Sequence, residues 1–248
     1  MQRRDFLKQL GVGLALAGGA GGWALRAKAA QKGRPNFLFL FTDDQAFSTL
    51  NVLNNPEVKT PNMDRLVRRG TTFTHCFNQG AWGGAVCVAS RAMLNTGRYL
   101  WQCGGNDCGD YPLWGETLGK AGYDTFMTGK WHNQKKALQR SLKTVGPTGG
   151  GMFGSKDTNA EENKKKGIVK DPYNRPRPGN SWSPYDKTLT GHWRNVDGKI
   201  VHSSKLWADT AIDYLDNHVT QSDNLFFMYV AFHAPHDPRQ SPKKFVDM

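Results

Sequence analysis

The chain has 248 residues, 38% of them hydrophobic and 22% charged, and a formal net charge of +12. That length admits one large domain or two small ones, and the composition is that of a globular chain, which excludes a disordered or fibrous one. A basic balance suits an anionic partner: a nucleic acid, an acidic membrane, or a sulfated or phosphorylated glycan.

The first 29 residues contribute +4 of the charge and read as an export signal. Arg3-Arg4 opens the segment, a short Gly/Ala/Leu stretch comes next, and Ala27-Lys28-Ala29 offers a small-x-small cleavage site. The pair Arg3-Arg4 before Asp5-Phe6-Leu7-Lys8 resembles the bacterial twin-arginine signal, so the expected location is the periplasm or beyond, reached through the twin-arginine machinery. Residues 30–248 are the expected folded part, with +8 of the charge.

PNFLFLFTDDQ, residues 35–45, is a continuous apolar run ending in two acids, which predicts a strand buried on both faces of a parallel sheet. Thr60-Pro61-Asn62 starts a helix that Gly70 stops. TTFTHCFNQ is read as a second strand. Residues 90–95 read as helical up to Gly97, and 114–121 as a short helix up to Gly122. YDTFMTGKWH is a strand running into a loop. Residues 140–200, rich in Gly, Lys and Pro, read as a long surface excursion. Residues 204–218 carry an amphipathic pattern, and NLFFMYVAFHAPHDP is a last apolar strand with a polar end.

Strand–helix alternation with apolar strands predicts an α/β fold: a largely parallel sheet with helices on both faces. Ligands of such sheets bind beyond the carboxyl ends of the strands. Three predicted strands end in ionisable groups there: Asp43-Asp44, Lys130 with His132, and His233 with His236. Adjacent carboxylates repel unless a cation lies between them, and a hard divalent ion would serve. Lys130 and His132, two apart on an extended segment, can face one side. Lysine supplies a point charge for an anion, and histidine moves protons near neutral pH. HAPHDP carries two histidines three apart, but no third soft ligand makes a zinc site, so a proton donor to a leaving group is the better reading. Of the cysteines, Cys103 and Cys108 could close a small loop, whereas Cys76 and Cys87 have no assigned partner. Cys87 stands apart, at a helix start among Gly83, Gly84, Ala85 and Ala89, where something could reach it.

Taken in order, PNFLFLFTDDQ, KTPNMDRLVRRGTTFTHCF, AVCVASRAMLNTGR, AGYDTFMTGKWHN and FFMYVAFHAPHDP resemble the N-terminal part of a type I sulfatase of the alkaline-phosphatase-like superfamily. The family's signature is Cys-x-Pro/Ala-Ser-Arg, whose cysteine a separate maturing enzyme oxidises to formylglycine. Cys87 matches it. The resemblance implies a sulfuric ester hydrolase acting on a sulfated carbohydrate. Asp43 and Asp44 would hold Ca²⁺ together with the converted Cys87. Arg91 would stabilise the hydrated aldehyde, Lys130 would bind sulfate, and His132 would assist proton removal. His236, preferred to His233, would lie near the leaving-group oxygen and contact substrate.

The family's second metal-ligand pair, an Asp before Asn or His and Gly, has no match after residue 140. Asp197-Gly198 and Asp216-Asn217 do not end apolar strands. Two carboxylates fall short of the six to eight oxygens Ca²⁺ takes, so weak binding, little turnover and an incomplete chain, its C-terminal half missing, are expected. Two alternatives share these features: a phosphonate monoester or phosphodiester hydrolase, and a truncated, non-catalytic anion-binding protein. Nucleic acid is disfavoured, because no basic helix or aromatic-interleaved strand set is present.

Overall fold

In the computed structural model, which describes residues 33–83, 86–150, 192–236 and 240–247, four strands form one parallel sheet. They are β1 (Phe37–Phe41), β2 (Asp124–Lys130), β3 (Thr144–Gly149) and β6 (Phe226–Ala231), in the order β1-β6-β2-β3. β4 (Trp193–Val196) and β5 (Lys199–His202) pair antiparallel as a separate hairpin. The helices are α1 (Pro61–Arg69), α2 (Val86–Thr96), α3 (Trp114–Lys120), α4 (Lys135–Ser141), α5 (Ser203–Gln221) and the single turn α6 (Lys243–Val246).

The strand period of two sorts the core into two layers. Phe227, Tyr229 and Ala231 of β6, with Met127 of β2, face a cluster that includes Leu113, Leu138 and Cys103 around α3 and α4. Trp114 meets Phe39, Phe227 and Tyr229 edge-on, with centroids 5.0, 4.9 and 5.1 Å apart. Met228 and Val230 face the other way, with Phe126, onto Trp207 and Ala211 of α5. Helices therefore cover both faces of the central strands, as the apolar runs of β2 and β6 require.

Four expectations are corrected. β1 is an edge strand, with Leu38 55% exposed, because its outer ladder edge has no partner among the described residues and α5 packs on β2, β6 and β3. TTFTHCFNQ forms no strand: residues 71–79 pair with no described strand and leave Phe73 and Phe77 78% and 88% exposed. The excursion begins late, since KTVGPTGG supplies β3 at the sheet edge, where Gly and Pro are tolerated. Gly146 lets β3 approach closely: a Cβ there would lie 2.9 Å from Thr210 Cγ2. Residues 192–200 return as the hairpin, and 151–191 lie outside the described residues. Cys103 and Cys108 are buried free thiols, and Cys76 and Cys87 are also free. The leader, residues 1–29, lies outside the described residues. No described helix is long and apolar enough to cross a membrane.

One glycine aims the site. The β2–β3 register shifts between Met127 and Gly129, and Gly129 has φ +103°. A Cβ there would stand 1.9 Å from the Ala231 carbonyl oxygen, and only parting β2 from β6 would relieve the clash. Gly129→Ala should therefore cost about 3 kcal/mol or more, as overpacking and a strained φ combine. Urea unfolding measures it, and a loss under about 1 kcal/mol would show that the bulge is not needed to seat Lys130.

Candidate active site

Phe41, Ala231 and Gly129 lie level across β1, β6 and β2, so the three strands end side by side. The residues just past each strand end build the site. Asp43 is buried, and its N–H donates to the Ala234 carbonyl at 3.2 Å, tying the β1 end to the β6 end. α2 starts above these ends. It places Cys87 in its first turn and Arg91 one turn on, on the same face.

Lys130 and Arg91 are each 1% exposed. The Lys130 ammonium is ion-paired with Asp43 Oδ2. Arg91 Nη1 donates to the Lys130 carbonyl (2.6 Å) and to the Tyr229 hydroxyl (2.9 Å), Nη2 lies 3.8 Å from Asp43 Oδ1, and the guanidinium sits 4.9 Å over the Phe41 ring. Arg91 Nε and Nη2 have no hydrogen-bond acceptor. Burial alone would raise the Asp43 carboxyl; Lys130, then Arg91 and a hydrogen bond to Cys87, outweigh it and hold the pKa below the usual value. Two buried cations facing one buried carboxylate leave a local positive excess.

His132 departs from the extended geometry expected of it: β2 ends at Lys130, and His132 has φ +62°. The loop is held instead by Asn133, whose Nδ2 donates to the Val88 carbonyl on α2 at 3.0 Å. Burial first, then the charges of Lys130 and Arg91, push His132 down to about 4, so it is neutral at pH 7. The two histidines of HAPHDP separate. His233 is fully buried, and its Nδ1 accepts from Trp207 Nε1 at 3.3 Å. His236 is half-buried and turns toward α2. One ligand atom from each of Asp43, Cys87 and His236 lies within 4.8 Å of the others, a cluster able to hold a metal ion. Asp44, in a left-handed turn at φ +59°, is outside that trio. It lines a cavity of about 400 Å³ with Asp43, Gln45, Asn78, Cys87 and Ser90.

The sulfatase family profile matches residues 35–248. The chain belongs to the sulfatase family. An uncharacterised sulfatase of Schizosaccharomyces pombe is 28% identical over an alignment of 251 positions, gaps included, that covers 89% of this chain and 41% of that protein. The N-acetylglucosamine-6-O-sulfatase of Bacteroides thetaiotaomicron is 36% identical over 104 residues, 40% of this chain and 18% of that enzyme. A solved structure in complex with its substrate, D-glucosamine-2-N,6-O-disulfate, shares the fold with a TM-score of 0.55 at 23% identity, over 82% of this chain and 35% of that one. This sulfatase chain thus spans under half the length of these relatives.

Within it, three site features have little or no signal in the sequence. Tyr229 sits mid-strand among apolar residues, and only its hydroxyl marks it. Burial pushes that phenol up to about 12, so it stays neutral beside Arg91. Asn133 belongs to the GKWHN stretch but carries no charge to draw notice. His192 holds the His236 carbonyl from a segment far off in sequence.

Proposed function

We propose that this chain carries the sulfate-ester-cleaving centre of an exported carbohydrate sulfatase, a sulfuric ester hydrolase. The observation that carries it is the placement of Cys87 against Asp43 and His236, above two buried cations. Family membership supports the conversion of Cys87 to formylglycine by a maturing enzyme, which would supply a hydroxyl nucleophile for sulfur. The oxygen-rich lining fits a hard cation. Asp43 and Asp44 bring carboxylates, and Gln45 and Asn78 bring side-chain amides to the same cavity. Ca²⁺ held by Asp43 and Asp44, with the converted Cys87 as a further ligand, would offset charge developing on a sulfate oxygen.

The chain's own residues do the remainder. Arg91, with N–H groups to spare, orients the hydroxyls at position 87. Lys130 binds a sulfate oxygen. His132, neutral at pH 7, is ready to accept a proton in the step that expels sulfate. His236, beside position 87, protonates the departing sugar oxygen. A sulfated sugar is the substrate class, in keeping with the N-acetylglucosamine-6-O-sulfatase relative. Export through the twin-arginine machinery would place the enzyme in the periplasm or outside the cell.

The test is sulfate release from an aryl sulfate by the full-length, matured protein with Ca²⁺, after mass analysis has found formylglycine at position 87. Formylglycine without sulfate release defeats the reading. Faster turnover of a phosphonate ester than of the sulfate would favour the phosphonate hydrolase instead.

A further inference from the structure

The β4–β5 hairpin carries two buried histidines at its open end. His192 precedes β4, His202 ends β5, and their rings stack with centroids 5.5 Å apart and 18° between planes. Each reaches a main-chain carbonyl of the segment that comes after β6. His192 Nε2 lies 2.7 Å from the His236 oxygen, and His202 Nε2 lies 3.0 Å from the Gln240 oxygen. A carbonyl only accepts, so both Nε2 atoms carry the proton. His202 Nδ1 accepts from the Ser204 N–H at the start of α5 at 3.2 Å, which fixes that ring as the neutral Nε2–H tautomer. His192 Nδ1 is buried without a hydrogen-bond partner, so the Nε2–H bond is what anchors its ring. The Ser203 N–H donates to the His192 carbonyl at 2.7 Å, locking this end of the hairpin to α5.

We infer that His192 is a positioning residue: its Nε2–H holds the His236 carbonyl and thereby sets where the His236 ring stands against Cys87 and Asp43. The role of His236 in this inference rests on the sulfatase reading; the clamp itself does not. A displacement on the order of 1 Å at a reacting group can cost about a hundredfold in rate, so a donor that fixes the main chain of a proton-transferring residue has a kinetic signature. Loss of the donor lowers kcat and leaves KM nearly alone, since the sulfate group is held by Lys130, which the loss does not touch.

Two variants and one spectrum test this. In the full-length matured enzyme, His192→Phe keeps a stacking ring and removes the donor. His192→Gln keeps a donor at similar reach. The expected result is a fall in kcat of about 30-fold for His192→Phe, with KM within about twofold, and recovery to within about threefold for His192→Gln. Nitrogen-edited NMR of the unsubstituted protein should show His192 as the Nε2–H tautomer, and the His236 ring signals should shift in His192→Phe more than in His192→Gln. Equal kcat losses in both variants, or an Nδ1–H tautomer at His192, overturn the inference. If His192→Phe does not fold, the tautomer and the His192→Gln kinetics still decide. If the unsubstituted enzyme cleaves no sulfate ester, the functional reading fails, while the NMR result still settles the clamp.

Discussion

Asp43→Asn is expected to destabilise the protein by about 3–5 kcal/mol and to abolish its activity, although the side chain barely changes shape. The reason is charge. Among the described residues Asp43 is the carboxylate that faces both Lys130 and Arg91, and those two cations are almost wholly buried. Removing it leaves two charges out of water with no counterion. Arg91 cannot shed its proton; Lys130 can, and would then lose the charge that makes it a sulfate ligand. For a chain of this size the loss corresponds to a melting temperature lower by roughly 10 °C. The double variant Asp43→Asn with Lys130→Met removes one orphaned cation along with its partner, so it should regain much of the stability and none of the activity. Calorimetry of the three proteins gives the answer. A single variant that melts within about 1 °C of the parent would mean that water or another anion already balances the pair, and the picture of a dry ionic cluster would fall.

That cluster was legible in the sequence because its parts end apolar strands. An apolar run long enough to be buried, terminated by Asp43-Asp44 or by Lys130, marks both an element and the edge at which chemistry collects. Helix stops were legible for a similar reason: Gly97 and Gly122 adopt φ of +65° and +87°, which other residues resist. What failed was the step from local pattern to neighbour. TTFTHCFNQ is rich in Thr and Phe, as strands are, yet a strand exists only through its ladder, and this segment pairs with no described strand. β1 reads as doubly buried, yet its burial depends on what covers it. The hairpin is within reach of the sequence: Asp197-Gly198 has φ of +50° and +80°, the backbone of a two-residue hairpin turn. His192 and His202 left no trace, because a histidine that bonds a distant carbonyl has no local signature. Formylglycine could not be derived from the physics of the chain either; family resemblance supplied it.

Acid should unfold this protein early, through its buried histidines rather than its carboxylates. His233 is pushed down to about 3, first by burial and then by Lys130, His192 and Arg91, with Asp43 opposing. His192 is pushed down to about 4, again first by burial, with its bond to the His236 carbonyl opposing. In the unfolded chain both titrate near 6.5. Between pH 6.5 and about 4 the unfolded state therefore binds protons that the folded state refuses, and stability falls as the pH falls. Below about pH 4 His192 protonates in the folded state too, and below about pH 3 His233 follows, where the loss levels off. Together the two groups are worth on the order of 8 kcal/mol, comparable with the whole stability of many domains. Asp43 works elsewhere: its lowered carboxyl contributes stability that persists above the ordinary carboxylate value and is lost only in stronger acid. The expected result is a melting temperature that drops steeply from pH 6.5 to 4.5. Trp207 fluorescence should track it, since that indole donates to His233 and its ring lies 5.8 Å away. His192→Gln should flatten the slope by removing one titrating group. A melting temperature constant from pH 7 to 5 would sink the prediction, because it would require both rings to be protonated, or accessible to protons, in the folded state. The same sign sets the range of full stability: a charged Asp43 and neutral His192 and His233 coexist without loss only above about pH 6.5.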